Sequence, residues 1–337
     1  MNLLVTGGAG FIGSNFIRYW LTKYSADKVV NLDALTYAAN LANLADVEAG
    51  YSDRYSFVKA DIGDTAKVVE IIKNNDIDLL VNFAAESHNS RAVIEPSIFV
   101  KTNVLGTQGL LEACRITDTR IHHVSTCEVY GDLALNSPDS FSEGYPYKPN
   151  TPYNASKAAA DHLLNSYHKT FGIKTTISIC SNNYGPYQFP EKLIPLFVSN
   201  ALENKDLPIY KSSENKREWL HVLDHCNAID LIVHNGTIGE SYNVGSGVEK
   251  SVEEVTDIIL NYLDKPHGLK SYVADRPGHD RRYLLNTAKI RKELSWQPKI
   301  SFEQGLEETI KWYVDNEDWW RPLKEKLLIE ERRWSKN

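Results

Sequence analysis

The sequence predicts an α/β fold, a doubly wound parallel sheet with a smaller C-terminal substrate-binding lobe. Three observations predict it. Near-continuous apolar runs recur, each closing on polar residues; segments with helical spacing lie between them; and a glycine-rich stretch joins the first run to the first helix. Strands buried on both faces read as continuous apolar runs, and strands alternating with helices imply parallel pairing.

The first run is "NLLVT" (2–6), followed by "FIGSNFIRYWLTKY" in helical register. "KVVNLDAL" (28–35) ends its apolar part at Asp33. "YSFVKADIGD" (55–64), "DLLVNFAAES" (78–87), "RIHHVSTCEVYG" (120–131) and "KTTISICSNNYG" (174–185) repeat the pattern. "DTAKVVEIIKNN" and "NVLGTQGLLEACRI" supply intervening helices. The alternation weakens after about residue 186, where "YGPYQFPEKLIP" is proline-rich, and the tail "WWRPLKEKLLIEERRW" suggests a closing helix. We therefore divide the chain into 1–186, carrying the sheet and the reactive residues, and 187–337, mainly a capping lobe with some segments returning to the sheet. Ligands of such a sheet bind beyond the carboxyl ends of its strands.

Composition narrows the function classes. The 337 residues are 42% hydrophobic and 24% charged, with formal net charge −7 and no Lys/Arg-rich block. Nucleic-acid binding needs a basic face to neutralise phosphates, so none is expected. Four cysteines (Cys114, Cys127, Cys180, Cys226) stand far apart without a CxxC pair, which argues against a disulfide framework and against a metal site. No apolar run approaches the roughly 20 residues of a membrane span, and no signal peptide precedes the first strand. The expected setting is cytoplasmic.

Gly7, Gly10 and Gly13 form GxxGxxG between a strand and a helix. Glycine tightens such a turn and lets backbone N–H groups approach a pyrophosphate at the helix N-terminus. A tight strand–helix turn alone would explain the pattern. However, Asp33 stands at the next strand end, where an acid accepts from an adenosine ribose hydroxyl and repels a 2′-phosphate. NAD is thus favoured over NADP. In "YNASK", Tyr153 and Lys157 are four apart and share one helix face. An ammonium there lowers the phenol's pKa and makes it a base toward a sugar hydroxyl. An isolated YxxxK would be an ordinary surface pair; joined to the glycine motif it is the arrangement of the short-chain dehydrogenase/reductase superfamily.

Across nearly the whole chain, "GGAGFIGSNF", "AAESH", "VSTCEVYGDL", "YNASKAAAD", "CSNNYGPYQFPEKLIP", "REWLHVLDH" and "DRPGHDRRY" resemble the dTDP-glucose 4,6-dehydratases, an extended branch of that superfamily. The resemblance implies a Rossmann domain, bound NAD, a nucleotide-diphosphate sugar as substrate and a homodimer. In that family the Tyr/Lys pair and NAD oxidise C4 of the hexose, a Glu takes the C5 proton, an Asp protonates the departing C6 hydroxyl, and hydride returns to C6. Carried onto this chain, Tyr153 is the C4 base with Lys157 beside it, Thr126 holds the C4 oxygen, and Glu128 is the C5 base. The same resemblance assigns Gly7, Gly10, Phe11, Ile12, Gly13, Asp33, Asp61, Ile62, Ala84, Tyr153 and Lys157 to the cofactor. It assigns Ser87, Asn182, Lys192, Arg217, Arg276 and His279 to the sugar, diphosphate and nucleoside.

One departure falls inside the catalytic triplet: Cys127 stands where the family carries the acid. A thiol has a reference pKa of about 8.5 against about 3.9 for Asp, a gap of about 6 kcal/mol in intrinsic acidity. It holds a proton at neutral pH without help but is a poorer acid, and it also favours burial. Cys127 therefore reads as a weak general acid or as a space-filling residue. Ser90, where the family usually has an acid, and Ile179, where arginine is common, depart as well. Three alternatives stand beside the 4,6-dehydratase: a dehydratase of a UDP-linked sugar, a 5,6-dehydratase returning hydride to C4, and a catalytically impaired binder of nucleotide sugars.

Overall fold

The computed structural model describes residues 1–275 and 277–334, with 328–334 described by backbone alone. Its centre is a seven-stranded, wholly parallel sheet in the order β10-β6-β5-β4-β1-β2-β3. The strands are β1 (Asn2–Thr6), β2 (Lys28–Asp33), β3 (Tyr55–Lys59), β4 (Leu79–Asn82), β5 (Arg120–Thr126), β6 (Thr175–Cys180) and β10 (Ser241–Val244). The remaining strands are β7 (Asn182–Tyr184), β8 (Leu207–Tyr210), β9 (Lys216–His221), β11 (Glu249–Ser251) and β12 (Lys270–Val273). They form a three-stranded sheet, β11-β9-β7, and a parallel pair, β12-β8.

Both faces of the central sheet are covered, which is why its strands carry apolar residues without alternation. On one face Leu3, Val5 and Val81 pack against Phe16 and Trp20 of the helix Phe11–Lys23 and against Cys226 and Ile229 of the helix Val222–Asn235. On the other, Leu4, Leu80 and Ile121 meet Ile71, Leu110 and Leu164 from the helices Thr65–Asn74, Thr107–Thr117 and Pro152–Phe171. The last helix is strongly punctuated. The Thr151 hydroxyl accepts from the Asn154 N–H at 3.2 Å, Pro152 opens the first turn, and Gly172 closes it at φ 72°. These are the expected N-cap, N1 and left-handed C-terminal signals.

The predicted strands are trimmed at their carboxyl ends. "RIHHVSTCEVYG" is a strand only to Thr126; Cys127–Tyr130 form a 3-10 turn that lifts the chain off the sheet. "KTTISICSNNYG" breaks at Ser181 into β6 and β7, which belong to different sheets. β10 lies far beyond residue 186 and returns to complete the central sheet beside β6. The closing helix spans Glu317–Trp334. Among the described residues no helix is long and apolar enough to cross a membrane.

Glu218 on β9 anchors the smaller lobe. It is fully buried and accepts from the Gly247 N–H at 2.6 Å and the Leu285 N–H at 2.9 Å, so three distant segments converge on one carboxylate. Gly245 is required beside it, since a Cβ there would lie 2.3 Å from the carboxylate oxygen. Burial pushes this carboxyl up to about 7 despite the two N–H donors. Glu218→Ala strands both donors, each costing about 1–3 kcal/mol. A loss of about 2–5 kcal/mol in denaturant unfolding is expected; a change below 1 kcal/mol would refute the anchoring role.

Candidate active site

Strand order reverses between β1 and β4, and a cleft of about 320 Å3 opens there at the carboxyl ends of the strands. This is where an open parallel sheet binds ligands. The glycine turn floors one end. Gly7 has φ +72°, and a Cβ on it would lie 2.5 Å from the Ala84 amide nitrogen; a Cβ on Gly13 would lie 2.4 Å from the Gly7 carbonyl oxygen. The helix that follows has no side-chain cap, so its first N–H groups point toward the cleft without a capping oxygen. Asp33 closes this end: one carboxylate oxygen accepts from the Ala9 N–H at 3.0 Å, the other from the Leu35 N–H at 2.8 Å. Each oxygen keeps a lone pair for a ribose hydroxyl. Burial raises its pKa while both N–H donors lower it. A bare-backbone turn at a helix N-terminus with a fixed acid one strand away fits a dinucleotide.

Phe11, Ile12, Asp61, Ile62 and Ala84 line the same cleft, as do Gly7, Gly10, Gly13 and Asp33. At its other end stand Thr126, Glu128, Tyr153, Lys157, Ser87, Asn182 and Lys192. Lys192 is tied to the Ser87 carbonyl at 2.8 Å and lies 3.7 Å from Glu191. The elements meet here for a simple reason. The 3-10 turn after β5 presents Thr126 and Glu128, while the first turn of the helix Pro152–Phe171 crosses above and presents Tyr153.

Electrostatics at this end are dominated by burial. The Tyr153 phenol is pushed well above its ordinary range, first by burial and then by Glu128, Cys180 and Cys127, while the Thr126 hydroxyl works the other way. Lys157 is pushed down to about 8 by burial, against the pull of Asp161 and Cys180. Glu128 accepts from the Asn89 side-chain N–H at 2.8 Å, and the Asn89 carbonyl in turn accepts from the Thr151 hydroxyl at 2.6 Å. The N-cap of the Tyr153 helix thus fixes the position of the carboxylate.

Three predicted residues are absent from the lining of this cleft. Cys127 is one, although both its neighbours line it: its side chain is 1% exposed and belongs to the core cluster that includes Val129 and Tyr130, and burial, with Glu128 next, pushes the thiol well up. A small apolar side chain at the start of a tight turn takes the inward position readily. Arg217 and His279 also stand off the cleft wall. The Arg217 guanidinium donates to the carbonyls of Lys216, Asp280 and Arg281 and to His279 Nε2 at 3.1 Å, and it lies over the Tyr283 ring. Backbone carbonyls thus take donors that the sequence assigned to a diphosphate. Arg276 lies outside the described residues. Asn89 and Thr151 escaped sequence reasoning; the only signal was their adjacency to Ser90 and Tyr153.

A family model of GDP-mannose 4,6 dehydratases matches residues 4–309. A dTDP-glucose 4,6-dehydratase of Xanthomonas campestris pv. campestris (strain B100) is 48% identical over 335 residues, covering 94% of each chain. The crystal structure of dTDP-glucose 4,6-dehydratase from Bacillus anthracis str. Ames in complex with NAD superposes with a TM-score of 0.89 at 48% identity, over 96% of this chain and 99% of that one. The enzyme from Streptomyces venezuelae with NAD and TDP bound gives 0.92 at 47% identity, over 96% and 100%. Fold, cleft and sequence agree, and the chain belongs to the dTDP-glucose 4,6-dehydratase family.

Proposed function

We propose that this protein is an NAD-dependent nucleotide-diphosphate-hexose 4,6-dehydratase that converts dTDP-glucose to dTDP-4-keto-6-deoxyglucose. The observation that carries the reading is the convergence of Thr126, Glu128, Tyr153 and Lys157 at one end of a cleft whose other end is the Gly7–Gly13 turn and Asp33. NAD, when bound, supplies a hydride acceptor at C4, a donor for the later step, and the positive charge that the buried phenol lacks. Tyr153 then takes the C4 hydroxyl proton, with Thr126 fixing the C4 oxygen. Glu128, held by Asn89, takes the C5 proton once the C4 ketone has acidified it. Ser87, Asn182 and Lys192 face the sugar and diphosphate from the cleft wall. The impaired-binder alternative is disfavoured because a pure binder needs none of the four reactive residues together.

Cys127 keeps its proton, and we assign it the weak acid's role at C6. It is buried, and it lies close enough to Glu128 and Tyr153 to interact electrostatically with both. A homodimer is also part of the reading. Val93, Val100, Leu105, Ile116 and Phe171 are large apolar side chains left exposed on the stretch 89–117 and on the helix Pro152–Phe171. These helices are joined side by side through Gln108, Glu112 and the Tyr167 hydroxyl. Such a surface is what a helical dimer interface buries. Four free, buried thiols suit a reducing cytoplasm.

Incubation with dTDP-glucose, UDP-glucose and UDP-GlcNAc, followed by mass and NMR analysis, tests the activity. Loss of water from dTDP-glucose with a new C6 methyl is expected; an exocyclic alkene would replace it with 5,6-dehydration, and inertness toward all three would sink the enzyme reading. Glu128→Gln should retain C4 oxidation, seen as transient NADH absorbance, while water loss falls about 100-fold or more. Cys127→Asp should speed water loss about tenfold or more, whereas Cys127→Ala at the wild-type rate would reduce Cys127 to a spacer. Light scattering after gel filtration should give twice the mass of the chain, and Leu105→Arg should shift it to a monomer.

A further inference from the structure

Behind Lys157 lies a buried polar network of His123, Asn82 and Asp161 to which the proposed reaction assigns no part. Lys157 Nζ is 2.9 Å from His123 Nε2 and donates to the Val124 carbonyl at 2.8 Å. The other ring nitrogen, His123 Nδ1, is 2.9 Å from Asn82 Nδ2. Asn82 cannot be turned round. Its Oδ1 accepts from the Ala84 backbone N–H at 3.1 Å and from the Thr6 hydroxyl at 2.6 Å. A backbone N–H is always a donor, so the atom facing it is the amide oxygen and the atom facing His123 is the NH2.

The consequence runs atom by atom. Asn82 donates, so His123 Nδ1 is the acceptor and carries no proton. A neutral imidazole then bears its proton on Nε2, the nitrogen that faces Lys157. Two donors cannot share a 2.9 Å contact, so Lys157 must present a lone pair. Close by, Asp161 Oδ2 accepts from Ser125 at 2.7 Å and Tyr147 at 3.1 Å, but the buried Asp161 Oδ1 has no hydrogen-bond partner and lies 3.7 Å from His123 Nε2.

We propose that His123, locked by Asn82 as the Nε2–H tautomer, is a positioning residue that donates to the Lys157 amine, favours that form over the ammonium and so lowers the pH at which Lys157 is protonated, and that turns its N–H to Asp161 when Lys157 takes a proton. When Nζ takes a proton from water, one N–H bond forms on Lys157, its lone pair is consumed, and the hydrogen bond from His123 Nε2–H to Nζ is lost. The His123 N–H then finds its second acceptor at Asp161 Oδ1, 3.7 Å away. The inference rests on reading Lys157 as the partner of Tyr153. Burial acts in the same direction, pushing Lys157 down to about 8, pushing His123 well down, and pushing Asp161 up to about 6. The other titratable groups facing the network are Cys180 from β6, His122 from β5, and Tyr147 and His162 beyond Asp161.

The test uses full-length, cofactor-free protein with 15N-labelled histidine and 13C,15N-labelled lysine. Long-range 1H–15N spectra read the tautomer of His123, and the Lys157 Cε and Nζ signals followed against pH read its charge. The expected result is an unprotonated Nδ1, a protonated Nε2, and an amine at Lys157 that becomes an ammonium below about pH 8. Asn82→Asp places an acceptor at Nδ1, moves the proton there and leaves Nε2 to accept from an ammonium. It should raise the Lys157 titration by about one unit, a tenfold change in the ammonium-to-amine ratio. A wild-type His123 protonated at Nδ1 overturns the proposal, and so does an Asn82→Asp protein whose Lys157 titrates as before. Both readouts are independent of turnover, so inertness toward nucleotide hexoses would count against the dehydratase reading and not against this one.

Discussion

The parallel sheet forces every reactive group to one edge, and the burial of an amine at that edge governs the chemistry around it. Lys157 is 3% exposed in a helix packed flat across β5 and β6. An ammonium taken from water into such a place costs several kcal/mol unless it is paired, and here the pairing is deliberately incomplete. Asp161 is near, yet His123 stands between it and the amine. The result is an amine whose titration burial pushes down to about 8, against the pull of Asp161.

That constraint explains the arrangement of the rest. The phenol of Tyr153 is pushed up by burial first and then by Glu128, Cys180 and Cys127, none of which favours its ionisation. Glu128 is held by Asn89, and Asn89 by the N-cap of the very helix that carries Tyr153 and Lys157. Tyr153 and Glu128 are therefore tied to the same helix start, and a small shift there would move the phenol and the carboxylate together. Positioning of this kind is worth more to a multistep reaction than any single contact.

Much of the fold was legible in the sequence because buried parallel strands and glycine turns leave strong local patterns. "NLLVT", the three glycines and Asp33 carried the dinucleotide half of the cleft almost completely. What local pattern could not supply was where a chain leaves the sheet. Cys127 reads as a strand-end residue beside Thr126 and Glu128, yet the turn beginning there sends its side chain inward. Arg217 and His279 have the chemistry of phosphate ligands, and only the tertiary structure reveals that backbone carbonyls and a tyrosine ring occupy the guanidinium. Asn82 gave no signal and Asn89 only its adjacency to Ser90, because an asparagine's role depends on which neighbours orient its amide.

The return of β10 to the central sheet bears on how the chain is made. Six strands of that sheet are complete by Cys180, but the edge of β6 stays open until Ser241–Val244 have been synthesised. For those intervening residues the nascent protein carries an unpaired strand edge beside an unfinished cleft, the kind of edge on which chains misassociate. The helix Val222–Asn235, emerging just before β10, covers the adjoining face first. Emergence order thus makes the last strand the one that seals the molecule, and truncation before it would leave a folded but adhesive intermediate.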